Sequence, residues 1–379
     1  MNAGAPLLEV RGLRVRKGGA DLLDVRELAV AAGETLSLIG PNGAGKSTLL
    51  LALSGIEAPA AGELRFRGER VPGGAAALAF RRRVAMVFQE PLLFDTTVFG
   101  NVASGLRLRG LDKAEIDRRV RENLERFRVE HLASRSARTL SGGEAQRTSL
   151  ARAMAVTPEV LLLDEPFAAL DPLSREGLLE DLAHTLRETG TTTIFATHDR
   201  IEAQRIADRV AVLDCGRLRQ VGAADEVLRR PADAFVAAFV GVENLLPVRM
   251  TLGPSRGGLC AVLERGGAGA GDDAGPAVFE VGGVAPGLAD GASGLLCVRP
   301  EDLVVTAVGE GGGSWSGNHL TGRVVKTVPQ GPLLKATIDC GVPIVAAVPG
   351  QVTRALALEP GLTVRVGLRP ADLYVIPGG

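Results

Sequence analysis

The chain has 379 residues, with 43 Lys plus Arg against 44 Asp plus Glu and a formal net charge of −1. That length predicts two or three domains with ample core, and the balanced charge offers no basic field to attract a phosphate backbone, so no nucleic-acid partner is expected. A composition of 46% hydrophobic and 23% charged residues excludes a disordered chain.

Cys215, Cys260, Cys297 and Cys340 lack the C-x-x-C spacing of zinc or redox sites and read as reduced thiols. No basic-then-apolar leader opens the chain and no run of 18 apolar residues follows, so the expectation is a protein kept in the cytoplasm that reaches a membrane only through a partner. Charge density divides the sequence near residue 240, with 33 basic and 32 acidic residues before it and 10 and 12 after it. This predicts one domain over 1–240 and a second over 241–379.

In chain order, the first part mixes short apolar strands (35–39, 84–88, 160–163, 193–196, 210–213) with helical patterns over 113–128 and 175–188. That alternation predicts an α/β sheet domain. The second part holds β-rich runs (277–281, 295–298, 322–328, 333–338, 342–348, 363–368) between Gly/Pro turns, the pattern of an all-β barrel. A weak repeat runs through it: Cys297–Val305 (CVRPEDLVV) returns at Gly367–Val375 (GLRPADLYV), and Asn244-x-Leu246 returns as Asn318-x-Leu320. Two related β units are expected, joined by the Gly-rich stretch 309–317, with 266–275 as a mobile loop.

The chemistry is concentrated before residue 200. After the strand at 35–39 comes Gly40-Pro41-Asn42-Gly43-Ala44-Gly45-Lys46-Ser47-Thr48, then a helix. Its glycines let successive backbone N–H groups face one concavity at a helix N-terminus, which suits a nucleoside triphosphate. Lys46 reaches the β- and γ-phosphates, and Ser47 offers a hydroxyl to Mg²⁺. The strand at 160–163 ends in Asp164-Glu165. That placement suits Asp164 for the metal and Glu165 for polarising the attacking water, although apolar strands ending in acid are common. Between them Leu140-Ser141-Gly142-Gly143-Glu144 opens a second helix. Ser141 is a good N-cap, and two glycines directly after it leave backbone amides open to an anion.

Together these residues resemble the ATP-binding subunits of ATP-binding cassette (ABC) transporters. The resemblance also rests on Gln89 in VFQEP, the turn Ala169-Leu170-Asp171, and Ala196-Thr197-His198-Asp199, and it spans 7–230. It implies a P-loop cassette with a helical subdomain over about 91–156. It also implies a head-to-tail homodimer in which Ser141, Gly142 and Gly143 of one subunit close on the γ-phosphate held by Lys46 of the other, with Asp171 at the same site. His198 is then the γ-phosphate switch and Gln89 a sensor near the metal. Two transmembrane permease subunits and, indirectly, a periplasmic binding protein are the implied partners, at the cytoplasmic face of the bacterial inner membrane. Glu144 stands where many members have Gln, and Lys17 stands where an aromatic side chain usually stacks on adenine. The C-terminal part resembles the OB-fold accessory domain of bacterial importers, in its molybdate/tungstate form over about 60 residues. Molybdate or tungstate is therefore the expected cargo, with sugar, ferric iron, polyamine or sulfate as alternatives. Further alternatives are a non-transport soluble cassette ATPase and an anion-sensing regulator.

Overall fold

In the computed structural model, residues 5–168, 170–252, 259–263, 277–308 and 317–378 are described. Ala169, the expected mobile loop at 266–275 and residues 309–316 of the expected Gly-rich joint lie outside them. Contacts divide the chain into two compact units, Met1–Asp225 and Glu226–Gly379.

The first unit opens with a hairpin, β1 (Leu8–Lys17) and β2 (Ala20–Val30), turning at Gly18-Gly19, both in the left-handed region. β3 (Thr35–Ile39), α1 (Lys46–Leu53), β4 (Ala61–Phe66), β5 (Glu69–Arg70), α2 (Leu78–Arg81) and β6 (Val84–Val87) follow. Then come the helices α3 (Val98–Leu108), α4 (Lys113–Arg126) and α5 (Gly142–Ala155). The unit is completed by β7 (Val160–Asp164), α6 (Pro172–Thr189), β8 (Thr192–Thr197), α7 (Arg200–Ile206), β9 (Arg209–Asp214) and β10 (Arg217–Ala223). One sheet is antiparallel, in the order β2-β1-β4-β5; the other runs β10-β9-β3-β8-β7-β6 and is parallel from β9 to β6.

Every residue of β3, β7 and β8 is buried. Central parallel strands are covered on both faces, which is why these runs are buried throughout rather than alternately, with only Ser, Thr and the terminal Asp164 breaking the apolar sequence. α4 buries Ile116, Val120 and Leu124 at i, i+4 spacing, and its N-cap Asp112 accepts the Glu115 N–H. These residues join α3, α5 and the undersides of β6 and β7 in one core through Val102, Phe127, Leu150, Val87 and Leu163.

In the second unit, α8 (Ala224–Arg229) crosses the division and α9 (Ala234–Phe239) lies beyond it. The strands follow as β11 (Asn244–Leu252), β12 (Leu259–Leu263), β13 (Val278–Glu280), β14 (Gly283–Val284), β15 (Ser293–Val298) and β16 (Leu303–Ala307). Next come β17 (Asn318–Gln330), β18 (Leu333–Asp339), β19 (Pro343–Pro349), the short helix α10 (Gly350–Leu356), β20 (Thr363–Leu368) and β21 (Tyr374–Pro377). Two sheets result, β13-β12-β11-β15-β21-β14 and β19-β18-β17-β20-β16. Apart from the short parallel pair β14–β21, every pairing in them is antiparallel.

The sequence repeat is visible in this order. Each copy supplies three meander strands and a fourth strand to one sheet, then sends its fifth strand into the other copy's sheet. β15 therefore pairs with β21 (Leu296↔Val375) and β16 with β20 (Val305↔Val366), and these two pairs are equivalent under the repeat. The related units are thus interlocked by strand exchange and share one core, which includes Val248, Leu296, Leu320, Ile338, Val366 and Val375.

Candidate functional site

The parallel order β3-β8-β7-β6 sets four carboxyl ends side by side. In open parallel sheets this edge is where ligands bind, and each of these strands runs into one of the expected motifs.

β3 leads into residues 40–45. A Cβ on Gly40 would stand 2.2 Å from the Leu213 carbonyl oxygen, so only glycine fits there. Gly43 and Gly45 have φ of 79° and 102°, a region glycine enters without strain. Gly45 is the N-cap of α1 with no capping side chain, which leaves the helix N-terminus to backbone amides alone. The loop is held from behind: the Gly216 N–H donates to the Ala44 carbonyl at 2.9 Å, and Gly216 in turn accepts from Asp24 N at 2.8 Å. This support from the β9–β10 turn was not read from the sequence, where Cys215-Gly216 signals only a turn.

Lys46 is buried, and its Nζ donates to the carbonyls of Gly40 (2.8 Å) and Pro41 (3.2 Å) and lies 3.6 Å from Glu165 Oε1. Ser47 Oγ donates to Asp164 Oδ1 at 3.0 Å across 117 residues. Burial pushes the Asp164 carboxyl up from its ordinary value and the neighbouring Glu165 adds to this, while the Ser47 hydroxyl and Lys46 oppose it. A hydroxyl and a buried carboxylate oxygen in contact are hard oxygen donors of the kind Mg²⁺ takes. The residues therefore fit the expected metal.

Glu165 follows β7 with φ 43°, left-handed for a residue that has a Cβ. Its N–H donates to the Ala196 carbonyl on the neighbouring strand (3.0 Å), and its own carbonyl accepts from Ala168 N (3.2 Å). These two bonds hold a conformation that costs on the order of 1–2 kcal/mol. They aim the carboxylate at the exposed edge, where Oε2 meets His198 Nδ1 at 3.2 Å. Lys46, Ser47, Asp164, Glu165 and His198 thus converge from β3, β7 and β8.

Gln89 does not join this cluster. It lies exposed two residues beyond β6, and among the described residues no hydrogen bond ties it to Ser47 or Asp164. Asn42 and Gly43 are exposed on the loop, Pro41 and Thr48 half-buried. Ser141 is exposed as the N-cap of α5 and forms a capping box: Glu144 Oε2 accepts the Ser141 N–H (2.7 Å), and Ser141 Oγ accepts the Glu144 N–H (3.3 Å). The Ser141 amide holds the Glu144 carboxyl below its ordinary value. Glu at this position therefore serves as a cap. Gly142 is exposed, and a Cβ on Gly143 would stand 3.6–3.7 Å from Leu170 and Ser174, so this helix start abuts the Asp171 turn. Asp171 caps α6 by accepting from Leu173 N and Ser174 N (3.1 Å each), and its contacts with Ser174 hold its carboxyl low. Lys17 is exposed at the end of β1.

Residues 23–168 match the ABC transporter family and 296–376 the TOBE domain. A sulfate/thiosulfate import ATP-binding protein of Caulobacter vibrioides is 45% identical over 260 residues, covering 67% of this chain and 76% of the relative. The chain belongs to the ABC importer ATPases.

A ferric-iron import ATP-binding protein of Streptomyces avermitilis matches this importer ATPase at 36% identity over 98% of the chain and 99% of the relative. A spermidine/putrescine import ATP-binding protein of Nitratidesulfovibrio vulgaris matches at 38% over 88% and 85%. Among solved structures, cbiO1 of Clostridium perfringens, part of the cbiONQ ABC transporter complex, superposes with a TM-score of 0.56 at 31% identity, covering 63% of this chain and 96% of that one. A dimeric cassette solved after hydrolysis with ADP and phosphate gives 0.53 at 27%, over 57% and 98%.

The names of these relatives give sulfate/thiosulfate, spermidine/putrescine and ferric iron, which favours three of the alternatives named from the sequence over molybdate or tungstate. In the C-terminal part, the repeated asparagines are engaged within the fold. The Asn318 side-chain amide is committed to the backbone of Glu280, donating to its carbonyl (2.7 Å) and accepting its N–H (2.9 Å). Its repeat mate Asn244 does the same with Val345 (2.9 and 2.7 Å) and also donates to the Val298 carbonyl. Both are strand-to-strand clamps, which gives the Asn-x-Leu repeat an architectural role.

Proposed function

We propose that this importer ATPase works as a head-to-tail homodimer beneath two permease subunits at the cytoplasmic face of the inner membrane, hydrolysing Mg-ATP to drive import. The observation that carries this reading is the convergence of Lys46, Ser47, Asp164, Glu165 and His198 at one sheet edge. In the proposed cycle the amides of 43–48 and Lys46 hold the phosphates, and the Lys46 ammonium exchanges its loop carbonyls for phosphate oxygens. Ser47 and Asp164 would hold Mg²⁺, whose chemistry is to neutralise charge building on those oxygens. Glu165 accepts a proton from the attacking water, and His198, bonded to it through Nδ1, offers its remaining ring nitrogen to the γ-phosphate. Ser141 and Gly142 are exposed, and the side-chain hydrogen bonds of Ser141 stay within its own helix start, which supports their acting on the site of the partner subunit.

The permease surface is assigned to the segment after Gln89. Leu92 and Phe94 are both 57% exposed. Arg152 stiffens this projection, donating to the Pro91 and Leu92 carbonyls and lying over the Phe94 ring at 5.7 Å. A rigid exposed aromatic is what a docking site requires. The cargo lies within the sulfate, polyamine and ferric-iron range of the relatives, and a periplasmic binding protein selects it.

A mixing experiment tests the dimer. Lys46→Ala and Ser141→Arg are each expected to abolish hydrolysis alone. In a head-to-tail dimer the mixed species keeps one site in which an intact Lys46 faces an intact Ser141, so mixing restores measurable turnover. Mixtures as inactive as the parents would overturn the arrangement.

A further inference from the structure

Beside His198 lies a second polar cluster, in which Thr197 and Asp199 of the same motif meet two residues that no motif covers, Glu202 and Arg175. Thr197, the last residue of β8, is buried; its hydroxyl donates to Glu202 Oε2 at 2.5 Å and accepts the Asp199 N–H at 3.0 Å. Asp199 caps α7 by accepting Ile201 N at 2.8 Å. Glu202 is 5% exposed, and burial raises its carboxyl above the ordinary value. A single cation serves both acids: Arg175 Nη1 donates to Asp199 Oδ2 at 3.3 Å, and its Nε lies 3.7 Å from Glu202 Oε1.

Arg175 belongs to the first turn of α6, where its N–H donates to the Asp171 carbonyl at 2.9 Å. Arg175 therefore links the Asp171 turn, through its backbone N–H, to Asp199 directly and to Thr197 by way of Glu202, the two residues that flank His198. Its Nε is buried and makes no hydrogen bond. A buried donor left unmade is costly, and this one needs less than 1 Å of approach to close on Glu202 Oε1.

We infer that Arg175 is a positioning residue of the ATPase reaction, fixing the 197–199 turn so that His198 meets Glu165 on one side and the γ-phosphate on the other. This rests on the proposed role of His198. The plainer role, an ion pair that only staples α6 to α7, predicts lost stability without a specific loss of chemistry.

The two are separated by single-turnover hydrolysis in the full-length ATPase. Arg175→Met is expected to lower the hydrolysis rate about tenfold, with nucleotide affinity unchanged within about twofold. In a His198→Ala background the same substitution is expected to cost nothing further, because its effect passes through His198. Arg175→Lys is expected to recover part of the rate, since an ammonium reaches one of the two acids but cannot fork between them. An equal loss with and without His198, or a fall in nucleotide affinity that tracks a fall in the unfolding midpoint, overturns the inference. His198→Ala alone turning over at the wild-type rate instead overturns the reading of His198 itself.

Discussion

In the first unit, strands from distant parts of the chain run parallel and deliver chemically different residues to one edge: a lysine and serine after β3, an Asp-Glu pair at β7, a histidine after β8. In the second unit, strands from two copies of one pattern exchange partners and place the same residue, Asn, in the same clamp twice. The contrast teaches how to read a recurring motif. Residues of unlike chemistry meeting at strand ends mark a site, whereas residues of like chemistry related by an internal repeat mark a symmetric scaffold.

The comparison is broken most severely at Glu165. Glu165→Gln keeps the shape and the backbone bonds to Ala196 and Ala168 but removes the base. Steady-state hydrolysis should fall by about 10²-fold or more, about 2.7 kcal/mol of barrier, while ATP still binds. Near-normal turnover in a phosphate-release assay would remove Glu165 from its role.

The next effect belongs to the scaffold. Asn244 is 3% exposed and its amide makes three bonds to backbone groups. Asn244→Ala leaves the Val345 N–H without its partner and should cost about 2 kcal/mol of unfolding free energy. Denaturant titration reads this directly, with nucleotide affinity expected to stay within about twofold. Asn318 makes the equivalent clamp in a more exposed setting. Asn318→Ala should cost about 1 kcal/mol or less, because water replaces what is lost. Equal costs at the two positions would show that burial does not separate the copies.

The smallest effect sharpens the reading of the signature turn. The Ser141 amide lowers the Glu144 carboxyl, so Glu144 contributes stability that is present above its ordinary value near 4.5 and lost as the pH falls through its lower folded value. Glu144→Gln should therefore be slightly less stable than wild type at neutral pH, by less than about 1 kcal/mol. Thermal melts of the two proteins should converge as the pH falls below the lowered Glu144 value. A difference that persists unchanged at low pH would show that the carboxylate charge is irrelevant to the cap.

Much of the first unit was legible because its signals are local. The expected strands at 35–39 and 160–163 and the helix opened by Ser141 appear with their ends moved by no more than a residue or so, since a short, mostly apolar strand bounded by turn residues or a capped helix is specified by its own residues. The hairpin β1–β2 and the strands β11 and β12 were not read. Charged residues on the solvent faces of β1 and β2 break up the apolar runs, and strands of this kind are recognised by their partners.

Sequence by itself determined which atoms are available for phosphate chemistry. It determined as well that a repeat exists, because spacing within a loop and similarity between segments are properties of the chain alone. Tertiary structure decided which of those atoms meet. Only the order β3-β8-β7 brings Ser47 to Asp164 and His198 to Glu165, only the β9–β10 turn supports Ala44, and only strand exchange assigns Asn318 to the backbone of Glu280. The physical reason is that a hydrogen bond acts over about 3 Å, while the residues it joins here stand tens of positions or more apart, a separation bridged by sheet order and core packing that no local pattern encodes.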